Sequence, residues 1–140
     1  MPEEVWTERI TFNNEDIWQR LNRYGFYKNE TVIGFLTFEH KDGKMIAIIE
    51  YKNEHAQTQY ASHPTYRAMI DLGNRAGIPV IACRYSDDYS SYMAVPLNAK
   101  AREYIPNRTE YDERGWVKEL YRMRGREVPE EVFSGMNVEI

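Results

Sequence analysis

The stretch Met45-Ile46-Ala47-Ile48-Ile49-Glu50-Tyr51-Lys52 decides how the rest of the chain is interpreted. Its apolar residues follow one another from Met45 to Ile49, which predicts a central strand covered on both faces. Residues i and i+2 of a strand point to the same face, so Glu50 and Lys52 are expected to project side by side from its end. A carboxylate that binds a divalent cation, beside an ammonium that orients water, suits the hydrolysis of phosphodiester bonds.

The composition is that of an ordinary globular chain, with 42% hydrophobic and 29% charged residues. Its 140 residues suffice for one domain with a core and are few for two. We see no apolar run long enough to span a bilayer and no secretory leader, and Cys83 is the only cysteine, so we expect a cytoplasmic protein with no disulfide framework and no membrane partner. The net charge of -4 argues against a passive nucleic-acid coat protein but permits a nuclease, whose metal site is acidic.

Local patterns predict one α/β domain with a mixed central sheet, in which an antiparallel hairpin is flanked by helices. Lys41-Asp42-Gly43 is the turn signal of that hairpin. The predicted elements are a helix from 13 to about 24, strands over 31–39 and 44–51, a helix over 64–77, strands over 78–85 and 91–96, and helices over 98–104 and 112–124.

A helix, an antiparallel hairpin bearing Glu-x-Lys, a second helix and a further strand form an order that resembles the PD-(D/E)xK nuclease superfamily. The segment 46–52 looks like its Glu-x-Lys strand, and 64–98 resembles the downstream half of small phage- and mobile-element-type members. The likeness covers roughly residues 13–104. It implies a restriction-endonuclease-like core within a single nuclease-like domain over 1–140, with a C-terminal helical extension over about 108–140.

The resemblance implies a metal site and an activity, the Mg²⁺-dependent hydrolysis of DNA. Glu50 and the backbone carbonyl of Tyr51 would bind Mg²⁺ or Mn²⁺, and Lys52 would orient the attacking water and stabilise charge on the phosphate. The first helix of such nucleases often lends a glutamate, for which Glu15 is the best candidate here. The alternative for Glu15 is a favourable first-turn charge and nothing more.

One acidic residue of the family pattern is missing from the preceding strand. A three-residue turn places Gly34 opposite Glu50, and a two-residue turn places Phe35 there; neither binds metal. Glu30 and Glu39 lie four or five residues away, about 13–16 Å along a strand. An alternative is therefore a catalytically inactive nuclease-fold module that binds nucleic acid or a protein partner, and a third is an α/β interaction protein unrelated to nucleases.

Two further groups are candidates for contact with DNA, the expected partner. Gln57 or Gln59 would contact phosphate, as a glutamine after the Glu-x-Lys strand does in some relatives, and His55 is a candidate auxiliary acid; surface loop residues are the simpler reading of all three. A basic cluster near the C-terminus would follow a phosphate backbone, or else form a solvated helix face. The cluster consists of Lys118, Arg122, Arg124 and Arg126. A second possible partner is another copy of the chain, because a homodimer would allow both strands of DNA to be cut.

Overall fold

The computed structural model describes residues 9–11, 20, 36–56 and 62–133 of the chain. The strands are β1 (Arg9–Thr11), β2 (Leu36–Lys41), β3 (Lys44–Asn53), β4 (Val80–Tyr85), β5 (Tyr92–Pro96) and β6 (Thr109–Tyr111). The helices are α1 (Pro64–Ala76), α2 (Ala99–Arg102) and α3 (Glu113–Met123), followed by a 3-10 helix (Glu130–Phe133). All six strands form one mixed sheet, in which they stand in chain order.

The strand β3 lies inside the sheet, between β2 and β4, and both of its faces are covered. It pairs with β2 in antiparallel fashion and with β4 in parallel fashion, with α1 as the crossover between β3 and β4. On one face Ile49 and Tyr51 belong to a core shared with Trp116 of α3, and on the other Ile48 packs in a second core with Met69 of α1. The prediction of a mixed sheet with an antiparallel hairpin and flanking helices is confirmed.

The hairpin between β2 and β3 turns on two residues. Asp42 and Gly43 both have positive φ, at 53° and 78°, as a two-residue type I′ turn requires. The pairing then shifts by one residue between Glu39 and His40, where β3 carries a bulge. A bulge sets two residues of one strand against one of its partner, so every pair beyond it moves by one position.

This bulge corrects the predicted register. Leu36 pairs with Glu50, so the expectation that Gly34 or Phe35 faces that glutamate is wrong. The register predicted from the position of the turn was wrong because an apolar strand carries no local sequence signal for a bulge. Gly34 and Phe35 lie outside the described residues.

Local signals fix the limits of α1 and α2. Pro64 occupies the first position of α1, and Gly77, with φ of 71°, follows its last residue, as predicted. Asn98 caps α2 as predicted, and its buried amide also accepts a hydrogen bond from the Val80 amide and donates one to the Asn74 side chain. This residue therefore ties the ends of α1, β4 and β5 together.

The C-terminal segment forms part of the main core. Trp116 and Leu120 of α3 are fully buried, and Phe133, in the 3-10 helix that follows, is only 2% exposed. The short strand β6, which the sequence did not predict, adds an edge to the sheet beside β5. Residues 109–133 thus pack together with the sheet as one hydrophobic unit.

Candidate functional site

A cleft lies on the face of the sheet that carries α1, where β3, β4 and β5 run side by side. The strand register places Glu50, Ala82 and Val95 in one row across the sheet, and Lys52, Arg84 and Met93 in the next. The cleft has a volume of about 290 Å³. Its lining residues are Glu50, Lys52, Tyr66, Ala82, Cys83, Arg84, Met93, Val95, Leu97 and Arg108.

Glu50 lies at the bottom of this cleft, with only 5% of its surface exposed. Its Oε1 atom is buried and accepts no hydrogen bond from any residue that the structure describes. The Lys52 ammonium lies 4.0 Å from that oxygen, at the outer limit of an ion pair. A buried polar atom without a hydrogen-bond partner is rare in folded proteins, and a bound water, ion or ligand would satisfy this oxygen.

Tyr66, on the first turn of α1, contacts both members of this pair. Its hydroxyl lies near the Glu50 carboxylate, and the Lys52 ammonium lies 5.7 Å from the centre of its ring. Burial, with the interaction with Glu50 as the second cause, raises the pKa of the Tyr66 hydroxyl well above its usual range. At neutral pH the hydroxyl is therefore a hydrogen-bond donor and not a phenolate nucleophile.

Three cations surround the single carboxylate of the described cleft. Arg84 donates hydrogen bonds from Nη1 to the backbone carbonyls of residues 53, 54 and 56, at 3.3, 3.2 and 2.8 Å, and so holds the turn that follows β3. Arg108 is exposed and has no hydrogen bond or ion pair with the described part of the chain. With Lys52 as the third cation, the cleft is locally positive in a chain of net charge -4, which favours an anionic ligand.

A second group of ionisable residues lies where β3 and β4 end. The His55 ring nitrogen Nε2 lies 2.9 Å from Asp87 Oδ2 and 3.9 Å from Glu54 Oε2, and hydrogen bonds from Asn53 and His55 lower the pKa of Asp87. These three side chains could hold a metal ion between them, although all are exposed. Glu54 is four residues beyond Glu50, about 13 Å along the strand, so this group does not complete the site at the bottom of the cleft.

Of the remaining predicted metal ligands, the structure describes the Tyr51 carbonyl but not Glu15. Backbone amides and carbonyls of successive strand residues point alternately to the two neighbouring strands. The amides of Ile48 and Glu54 hydrogen-bond to the β4 side, and each of these residues lies three positions from Tyr51. The Tyr51 carbonyl therefore points toward the β2 side of β3. The Tyr51 side chain is buried on the opposite face of the sheet from Glu50. The candidates Glu15, Gln57 and Gln59 lie outside the described residues.

The predicted basic cluster needs one correction. Arg124 is 4% exposed and forms a buried ion pair with Glu39 at 2.5 Å, so it is not available to a phosphate backbone. Lys118, Arg122 and Arg126 are exposed and line a shallow surface groove on α3 and the segment after it. Since α3 packs on the opposite face of the sheet, these residues and the cleft lie on different sides of the molecule.

The structure brings Tyr66, Arg84 and Arg108 into the cleft, and the sequence analysis assigned none of them to the site. Arg84 had a usable signal, because it ends a buried strand in the same way as Lys52 ends β3. Tyr66 and Arg108 had none, since one opens a helix and the other lies in a connecting loop.

Comparison with protein-family models finds no match to this chain, and comparison with curated proteins finds no significant one. No helix in the described residues is long and apolar enough to cross a membrane. The cleft and the topology of the sheet are therefore the features that bear on function.

Proposed function

We propose that this protein is a Mg²⁺-dependent nuclease that hydrolyses phosphodiester bonds in DNA. The observation that carries the proposal is the buried Glu50 Oε1, without a hydrogen bond from the described residues, 4.0 Å from the Lys52 ammonium in a cleft of positive charge. A structural ion pair would not leave that oxygen unsatisfied, whereas a cation ligand requires a free lone pair.

The topology of the sheet supports a relationship to the PD-(D/E)xK nucleases. The Glu-x-Lys pair stands on the second strand of an antiparallel hairpin, and that strand is followed by a helical crossover and a parallel neighbour. These elements match the order on which the resemblance was based, except for its first helix, over 13 to about 24, which lies outside the described residues apart from residue 20. It supports the restriction-endonuclease-like core that we propose for the fold.

The described cleft residues fit a Mg²⁺ ion shared with the substrate. Mg²⁺ is commonly held by one or two carboxylates together with waters and substrate phosphates. Glu50 supplies one carboxylate here, and the Tyr51 carbonyl and Glu15 remain proposed additional ligands. Glu110 stands in the same row as Lys52 but three strands away, about 14 Å, so it cannot share an ion with Glu50.

Each cleft residue has a role in this proposal. A bound Mg²⁺ would supply an acidified water and neutralise charge on the phosphate. Lys52 would orient the water and stabilise developing negative charge, and Arg108 would attract the phosphate group. Arg84 would act as a positioning residue through the turn that it holds, and Tyr66 would fix the orientation of the Glu50 carboxylate through the polar interaction between them.

One observation favours a second candidate, a catalytically inactive module that binds nucleic acid. Glu50 is the only carboxylate among the described residues that line the cleft, against three cations. Basic side chains alone can bind phosphates without hydrolysing them. The two candidates differ in whether cleavage accompanies binding.

A cleavage assay separates these candidates. Supercoiled plasmid, single-stranded DNA and branched DNA are incubated with the full chain in Mg²⁺, in Mn²⁺ and in chelator. We expect cleavage that requires the metal and is lost in Glu50→Gln and Lys52→Met. Glu103→Gln and Lys100→Met, which make the same changes at exposed positions of a surface ion pair, are the matched controls and should keep wild-type activity.

Retention of DNA that weakens with salt, without cleavage of any substrate, would establish the inactive module instead. Cleavage that survives in both Glu50→Gln and Lys52→Met would show that the site lies elsewhere. Absence of both cleavage and binding would refute each candidate.

A further inference from the structure

We infer that the cleft receives one unpaired nucleotide of a DNA strand, at an end or in a single-stranded segment, and not a nucleotide within a continuous duplex. The inference rests on the proposed function, whose substrate class it narrows. Three properties of the cleft carry it: the depth of Glu50, the size of the cavity and the division of its lining into a charged and an apolar side.

The depth of Glu50 sets how far a phosphate must enter. The residue stands on the sheet itself, is 5% exposed, and is flanked across the strands by Leu36 and Ala82. Tyr66 of α1 contacts its carboxylate from above the sheet. A cation held by Glu50 would lie within the cleft, so the reacting phosphate would have to enter the cleft to reach it.

The size of the cavity limits what enters with that phosphate. At about 290 Å³ it lies at the lower end of the range for small-ligand sites, roughly 300–1,000 Å³. That space suits one nucleotide and excludes a paired and stacked duplex. Enzymes whose pocket receives the base itself either take single-stranded substrate or first extrude the nucleotide from the stack.

The lining of the cavity matches the two ends of a nucleotide. Lys52 and Arg108 offer charge to a phosphate. Met93, Val95 and Leu97, at alternate positions along and just beyond β5, form an apolar strip two strands away from β3, at about 10 Å. A phosphate alone would make no use of this strip, whereas a nucleobase packs on apolar and aromatic side chains irrespective of sequence.

Binding of small ligands to the full chain tests the inference without reference to catalysis. Deoxythymidine 5′-monophosphate, inorganic phosphate and deoxythymidine are titrated in chelator and in Mg²⁺ by calorimetry. We expect the monophosphate to bind about tenfold or more tightly than either of the other two, because only it occupies both sides of the cleft. Equal affinity of the monophosphate and inorganic phosphate would overturn the inference.

A pair of methionine variants assigns the apolar contact. Met93→Ala should weaken binding of the monophosphate about fivefold or more and leave inorganic phosphate unaffected. Met45→Ala removes the same side chain from the opposite end of β3, where it is 38% exposed, and should change neither affinity. Met93→Gln, which keeps the length of the side chain, replaces Met93→Ala if that variant does not fold. Unchanged monophosphate affinity in a folded Met93 variant would overturn the inference.

Cleavage rates separate a failure of this inference from a failure of the proposed function. Single-stranded DNA should be cut about a hundredfold faster than relaxed, covalently closed duplex circles, in which a nucleotide must first be unstacked and unpaired. Cleavage that depends on Glu50 but proceeds equally on both substrates would refute the inference and leave the nuclease proposal intact. Absence of cleavage in both metals would refute the nuclease proposal, with which the inference falls.

Discussion

Replacing Glu50 with methionine should stabilise the fold while removing the proposed metal ligand. An unsatisfied buried polar group costs about 1–3 kcal/mol, and a charged one costs more. The variant loses the Lys52 contact, which is worth about 0–1 kcal/mol because Lys52 is partly exposed, and the polar interaction with the Tyr66 hydroxyl, worth at most about 1 kcal/mol. Methionine would pack between the apolar cross-strand neighbours Leu36 and Ala82. We expect a net gain of about 1 kcal/mol in the free energy of unfolding, or about 4 °C in Tm.

Urea unfolding and calorimetry in chelator at pH 7 measure this gain. Glu103→Met, which makes the same change at an exposed position of a surface ion pair, should change the free energy of unfolding by less than about 0.5 kcal/mol. Mg²⁺ should then stabilise the wild type, by about 2.7 kcal/mol at a hundred times its Kd, and leave Glu50→Met unchanged. A loss of 1 kcal/mol or more for Glu50→Met in chelator would refute the reasoning, because it would show that the carboxylate is satisfied by the fold itself.

Three further changes test the fold around the site. Gly73→Ala should destabilise by about 1–2 kcal/mol in urea unfolding, because its Cβ would lie 2.1 Å from the Val80 side chain, and the loss should shrink in a Val80→Ala background. Arg124→Met should cost about 3–5 kcal/mol in the same assay, because it removes the guanidinium that pairs with the buried Glu39. A second change of Glu39→Met should recover most of that loss, and independent, additive effects would contradict the ion pair. Hydrogen bonds from neighbouring serine residues hold the pKa of Asp88 at about 2, below its unfolded value. Its contribution to stability is therefore present above about pH 4 and lost as the pH falls toward 2. Asp88→Ala should make the Tm less dependent on pH over that window, and a Tm profile identical to that of the wild type would contradict this prediction.

The main elements follow from local signals in the sequence. The apolar run 45–49 predicted a central strand, and β3 extends from Lys44 to Asn53. Proline at the start and glycine after the end predicted α1 almost to the residue, and Asp112 caps α3 where the predicted helix begins. Glu50 and Lys52 share a face because a strand alternates its side chains, a property that depends on no other part of the chain.

The parts that were not predicted depend on distant residues. The bulge that places Leu36 opposite Glu50 reflects how β2 and β3 pack, and a three-residue strand such as β6 is too short to show a periodicity. Arg124 was assigned to a basic surface because charged residues are usually exposed. Its burial depends on Glu39, a partner 85 residues earlier in the chain.

The two buried carboxylates of the hairpin differ in a way that bears on function. Glu39 faces the α3 side, where the Arg124 guanidinium compensates its charge at 2.5 Å. Glu50 faces the α1 side with one oxygen unsatisfied and its nearest cation 4.0 Å away, although the same fold supplies three cations to its cleft. A hairpin that satisfies one buried carboxylate and leaves an oxygen of the other without a hydrogen bond from the described residues departs from a rule of stability at Glu50, and such departures concentrate at functional sites. The contrast between these two glutamates therefore supports the cleft as the functional centre without relying on the resemblance to nucleases.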